Sequence, residues 1–195
     1  QARESAHFGL LAVRRKILNC LSKKEKKIYQ NEEIKLLLSA MNITPGKYDS
    51  KKLRYGRIGI AVDADSDGYH IGLLIMACLT KLAPQFITEK RLCWLRTPLF
   101  SVEKGKTRSY YFNDVEFEEA KKKGLVSGVV HRAKGLGALE AEEAHESMFT
   151  EKYQRLEILT PDEDSFSLIQ SLMGSNVEPR TNFMFNKIDF SQIHE

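Results

Sequence analysis

One stretch, RIGIAVDADSDGYHIGLLIMACLTKLA (57–83), sets the fold class. Its first part, RIGIAV (57–62), is short and apolar and reads as a buried parallel strand. Three carboxylates at alternate positions follow, Asp63, Asp65 and Asp67, and then Gly68. Residues 69–83 form a strongly apolar run that predicts a helix stopped near Pro84. A further strand is predicted at RLCWLRT (91–97). Strand, acidic turn, helix and strand make a βαβ unit, and ligands in such sheets bind at the carboxyl ends of strands. The acidic run lies at such an end.

Alternating acids followed by glycine suggest a cation site. An EF-hand loop needs a bidentate Glu at its twelfth position and a helix before it. Counted from Asp63, that position is Leu74, and the preceding element reads as a strand, so a calcium loop does not fit. Magnesium at a phosphate-processing site fits better, because Mg²⁺ takes few protein carboxylates and keeps waters or phosphates as its other ligands. If the strand runs through Asp65, period-two alternation puts Asp63 and Asp65 on one side. Gly68 suggests a turn, so Asp67 joins that set only if the backbone stays extended. The rival reading is that these acids cap the following helix, whose dipole favours negative charge. One acid is explained that way, but three at alternate positions repel one another and call for a counterion.

Around this core the chain is unexceptional in bulk. Its 195 residues allow one or two domains, and 42% hydrophobic with 29% charged residues is ordinary for a soluble protein. No apolar run is long enough to span a membrane, and the N-terminal residues are too charged for a signal peptide, so a cytoplasmic location is expected. Cys20, Cys78 and Cys93 are far apart and show no CxxC spacing, which points to buried reduced thiols rather than zinc or disulfides. The net charge is only +4, but RRK (14–16) and KKEKK (23–27) concentrate positive charge near the N-terminus. A DNA contact and a solvated helical face both account for such runs.

Elsewhere, NEEIKLLLSAM (31–41) predicts an amphipathic helix capped by Asn31, with Ile34, Leu37, Leu38 and Met41 on one face. LFSVEKGKTRSYYF (99–112) predicts a hairpin turning at 104–106, followed by a charged helix over 114–123 and a strand over 125–132. Thr160 and Glu163 form a capping-box pattern with Pro161 between them, and Gly174 marks that helix's end. Trp94 reads as core. The composition shift at Pro98 divides the chain into an α/β metal-binding part, 1–98, and a mixed α+β tail, 99–195.

The segment IGIAVDADSDGYHI (58–71) resembles the DxDxDG motif of the Toprim fold, a Rossmann-like parallel sheet with flanking helices. More specifically, the chain resembles the B subunits of bacterial type IIA DNA topoisomerases, the gyrase and topoisomerase IV family. RRKILN (14–19) is similar to the family's basic segment, in which a Lys and an Asn approach DNA; these map to Lys16 and Asn19. The pair Pro98–Leu99 resembles the start of the family's tail, RAKGLG (132–137) its Arg-aromatic-Lys-Gly-Leu-Gly motif, and LMGSNVEPR (172–180) its C-terminal signature. Two departures are visible. Ala133 stands where the family usually has an aromatic residue, and the family's Glu-Gly-Asp-Ser stretch, whose Glu helps hold the metal, is expected upstream of Gln1.

The resemblance implies the cleavage core of an ATP-dependent enzyme that changes DNA topology. It implies Mg²⁺ held by Asp63, Asp65 and Asp67, and double-stranded DNA as a partner. The catalytic tyrosine is expected on a partner A subunit, not in this chain, and ATP on an ATPase domain outside it; the segment alone is expected to be silent. His70 either touches a phosphate or is simply a polar residue on a helix. Lys16 is either a backbone contact or a solvated lysine. In KGLG the glycines allow close backbone approach, and Lys134 either binds phosphate or pairs with the acids, with a purely structural turn as the rival. Two other readings remain, a Toprim nuclease that cuts with water and a metal-stabilised module that docks on a partner or DNA.

Overall fold

The computed structural model describes residues 7–13, 16–63, 65–133 and 135–187. In chain order its helices are α1 (Glu25–Gln30), α2 (Glu32–Met41), α3 (Ser66–Leu82), α4 (Pro84–Thr88), α5 (Asp114–Lys122), α6 (Ala141–Phe149), α7 (Ser165–Met173) and α8 (Glu178–Lys187). Its strands are β1 (Ile58–Ile60), β2 (Leu92–Leu95), β3 (Phe100–Lys104), β4 (Thr107–Tyr111), β5 (Val129–Arg132) and β6 (Leu156–Ile158). The result is a mixed α/β protein, as the sequence predicts.

Two compact units interleave along the chain. The first comprises Gln1–Ala12, Tyr55–Gly72 and Lys90–Leu159, and carries both sheets. In one sheet β1 and β2 run parallel, with Ile58 opposite Leu92 and Ile60 opposite Trp94, which is the predicted βαβ geometry. β6 adds to the far edge of β2 in antiparallel sense, Cys93 opposite Ile158. The other sheet has the order β4-β3-β5. Its hairpin, β3 to β4, pairs Lys104 with Thr107, so the turn falls at 105–106 as predicted. Phe100, Val102 and Phe117 bury one face of it, and the rings of Phe100 and Phe117 stack 4.2 Å apart.

The second unit comprises Val13–Arg54, Leu73–Glu89 and Thr160–Glu195, and its described elements are helical. Asn31 caps α2, its side chain accepting the Ile34 N–H at 3.1 Å. Ile34, Leu37, Leu38 and Met41 are all buried, on the face the periodicity defines. From α3 come Leu74, Ile75, Ala77, Cys78, Leu79 and Leu82, also buried. Cys20, Cys78 and Cys93 are buried free thiols.

Four local readings are corrected. The apolar helix starts at Ser66 rather than at 69, because Asp65 already caps it. Pro84 does not merely stop that helix; it occupies the first turn of α4, where its missing N–H has no helical partner to lose. α7 starts at Ser165, beyond the predicted Thr160–Glu163 box, because the Ser165 hydroxyl accepts the Asp162 N–H at 3.1 Å and closes a turn there first. Trp94 is only partly buried, lying 5.6 Å from the stacked ring of Tyr69.

Candidate functional site

The acidic run sits where β1 hands over to α3. Strand pairing ends at Ile60, so Asp63 and Asp65 lie beyond the ladder and not on it. Asp65 caps α3, its Oδ1 accepting the Gly68 N–H at 2.7 Å. The following residue, Tyr69, donates its N–H to the Asp65 carbonyl at 3.0 Å. Gly68 is therefore not a turn residue but part of the first helical turn. A Cβ on it would lie 2.1 Å from the carbonyl oxygen of Asp63, so the helix packs directly on the backbone of the strand's end. Only glycine permits that approach.

Asp63 is half-buried, and its Oδ1 accepts the backbone N–H of Leu136 at 2.6 Å. Leu136 opens a short 3₁₀ turn, Leu136–Ala138, in the RAKGLG stretch. Gly135, just before it, has φ +155°, and a Cβ there would press on the Asp63 carboxylate at 3.0–3.1 Å. Both the backbone angle and the crowding demand glycine at that position. Gly137 is different, with open space around the place a Cβ would take. Thus two stretches 73 residues apart, DADSDG and RAKGLG, meet at one carboxylate.

They line a cleft of about 270 Å³, whose walls include Asp63, Asp65, Thr97, Arg132, Gly135 and Leu136. Thr97 is fixed there by donating its hydroxyl to the Val62 carbonyl at 3.3 Å. The Arg132 guanidinium stands 5.4 Å from the Phe100 ring centroid, in cation–π range. Arg96 is instead held by Glu157 through two bonds of 2.8 and 2.9 Å, and that carboxylate raises its already high pKa. Among the described residues, the cleft thus places two carboxylates and one guanidinium on its walls.

Asp67 lies in the first turn of α3 and His70 one residue beyond Tyr69; both are exposed, and neither lines the cleft. Among the described residues no group of three or more His, Cys, Asp or Glu side chains is arranged to hold a metal ion. The donor set at the cleft nonetheless fits magnesium. Asp63 and Asp65 offer hard oxygens, and one or two carboxylates are what Mg²⁺ takes when phosphate and water complete its shell.

The other predicted residues lie in the second unit or outside the described residues. Lys16 is exposed beside buried Ile17, and Ile17 and Cys20 anchor its segment. Asn19 is engaged within the chain: its Oδ1 accepts the Leu21 N–H at 3.1 Å and its Nδ2 donates to the Met173 carbonyl at 2.8 Å. Lys81 of α3 holds the same segment by donating to the carbonyls of Cys20 and Lys23 at 2.9 and 3.0 Å. Lys134 lies outside the described residues. Arg132 is a cleft residue that sequence reasoning missed, although its place at the head of RAKGLG is a signal; the Leu136 N–H, a backbone group, leaves none.

No protein-family model matches the chain. Its fold is shared with the cleavage machinery of type II topoisomerases. The DNA-binding, cleavage and re-ligation domain of Plasmodium falciparum topoisomerase II superposes with a TM-score of 0.72 at 27% identity, over 89% of this chain and 24% of that one. The chain is homologous to the B subunits of DNA gyrase and topoisomerase IV. It is 32% identical to the DNA gyrase B subunit of Archaeoglobus fulgidus over 94% of its length, and 32% identical to the DNA topoisomerase 4 B subunit of Caulobacter vibrioides over 98%. It spans 29% and 28% of the length of those two relatives. Among the described residues no helix is long and apolar enough to cross a membrane.

Proposed function

We propose that this chain is the cleavage-core segment of the B subunit of an ATP-dependent, cytoplasmic type IIA DNA topoisomerase. The observation that carries the reading is the convergence of Asp63 and Asp65 on one cleft, together with Arg132, in a homologue of gyrase B. In this reading a tyrosine hydroxyl of the partner A subunit attacks a DNA phosphate, the phosphate joins the tyrosine at the 5′ end, and the 3′ hydroxyl leaves; religation reverses this. Mg²⁺ bound at the cleft supplies charge stabilisation to the oxygens of the reacting phosphate.

The chain's own residues hold and orient. Asp63 and Asp65 are the metal-holding pair, with Asp67 as an outer carboxylate on the first turn of α3. Arg132 faces the phosphate from the cleft wall. Lys16, His70 and Lys134 contact the DNA backbone as charges or hydrogen-bond donors, and Asn19 fixes the segment that carries Lys16. ATP binds a domain outside this chain. By itself the segment is silent, because the nucleophile belongs to the partner.

The test is Asp63→Asn and Asp65→Asn in the complex reconstituted with its A subunit. Cleavage is expected to fall by about a hundredfold or more while subunit assembly is unchanged, as for loss of a charge-stabilising group. Assembly that itself becomes metal-dependent would favour the docking-module reading. Cleavage that proceeds without the partner tyrosine would favour a hydrolytic nuclease.

A further inference from the structure

Among the described residues, each carboxylate at the cleft accepts a backbone amide through its Oδ1. Asp65 Oδ1 takes the Gly68 N–H at 2.7 Å and Asp63 Oδ1 takes the Leu136 N–H at 2.6 Å. The first bond is local, made by the helix that Asp65 caps. The second comes from 73 residues away and exists only because the chain at Gly135 adopts φ +155° with no side chain. A Cβ at Gly135 would sit 3.0 Å from Asp63 Oδ1 and 3.1 Å from Oδ2, so it would displace the carboxylate as well as strain the loop.

We infer that the Gly135–Leu136 peptide is a positioning element for the metal centre: its N–H fixes the Asp63 carboxylate through Oδ1 and so sets the rotamer in which Asp63 would meet a cation. The inference rests on the metal-binding reading of Asp63 and Asp65 proposed above. The physical reason is that a ligand locked in one rotamer before binding loses less freedom when the metal arrives. Partners that orient metal ligands from behind typically contribute about 10–100-fold to metal affinity. The KGLG motif then acts on the acids through its backbone, whatever its lysine does.

The experiment measures Mn²⁺ affinity by electron paramagnetic resonance, with Mg²⁺ as competitor, on the full chain free of DNA. Four proteins are compared: the parent, Asp63→Asn, Gly135→Ala and Gly137→Ala. Gly135→Ala is expected to lower the melting temperature, because alanine is strained at φ +155°, and to weaken Mn²⁺ by about tenfold or more at a temperature where thermal unfolding shows both proteins fully folded. Gly137→Ala, where a Cβ meets open space, is expected to leave affinity unchanged. Amide exchange supplies a second readout that needs no loop substitution: Asp63→Ala, which removes the acceptor, is expected to speed exchange at Leu136. If Asp63→Asn abolishes Mn²⁺ binding but Gly135→Ala leaves it intact or tightens it, the positioning inference is overturned and the metal site stands. If Asp63→Asn itself leaves Mn²⁺ affinity unchanged, the metal reading fails first. Equal losses in Gly135→Ala and Gly137→Ala would mean a general loop effect and would also overturn the inference.

Discussion

At the scale of single residues, Gly68 tests how tightly the acidic turn is built. Alanine in a helix is ordinarily about 1 kcal/mol better than glycine. Here the added Cβ would meet the Asp63 carbonyl oxygen at 2.1 Å, a backbone atom that cannot swing aside. Relief requires moving the start of α3 off the end of the strand, and overpacking of that kind costs roughly 1–3 kcal/mol. Gly68→Ala is therefore expected to lower stability in urea unfolding. Gly56→Ala, with nothing within 4 Å of its Cβ, should stay within about 0.5 kcal/mol of the parent. A neutral Gly68→Ala would mean that helix and strand do not touch as described. The residue types of this site were legible because DADSDG compresses strand end, cap and helix start into six positions. What alternation could not give was the point at which the backbone leaves the extended form. It does so before Asp67, because Asp65 satisfies a helix amide, and the third acid is carried round onto the helix.

At the scale of elements, legibility followed the length of the pattern. α2 was readable to the residue because a cap, two acids and four apolar positions agree. That cap gives a clean expectation. Asn31→Ala removes the acceptor of the Ile34 N–H and should cost about 1 kcal/mol, whereas Asn31→Ser should recover most of it. Equal stability of parent, Ala and Ser variants in chemical denaturation would show that α2 is held by its buried face alone. β6 was missed for the converse reason. Leu156, Glu157 and Ile158 are too few for a period to declare itself, all three are exposed, and their pairing with β2 is a tertiary fact. The Thr160–Glu163 pattern failed because a box needs the helix to begin beside it. The Asp162–Ser165 turn consumed the local donors and moved the start of α7 downstream. Pro84 illustrates the same ambiguity, since one residue type both ends a helix and opens the next.

At the scale of the whole molecule, charge separates local recognition from bulk attraction. Lysine and arginine number 30 against 26 aspartates and glutamates, so the formal net charge of +4 is too small to hold DNA non-specifically by itself. In the proposed reading Asp63 and Asp65 put negative charge at the cleft that a bound cation would offset, so attraction for DNA has to come from basic residues elsewhere. Lys16 sits on a segment pinned by Asn19 and by Lys81, so its charge is presented from a fixed base and not from a loose tail. Each phosphate neutralised releases counterions, and the logarithm of affinity falls with the logarithm of salt by about 0.9 per phosphate contact. Lys16→Ala in the full chain is therefore expected to weaken duplex binding equally across unrelated sequences and to reduce that slope by about 1. Fluorescence anisotropy over a salt series on two duplexes of different sequence is the measurement. A slope unchanged by the substitution would remove Lys16 from the phosphate contacts. A loss confined to one duplex would mean that the segment reads bases, which the backbone-contact reading does not allow.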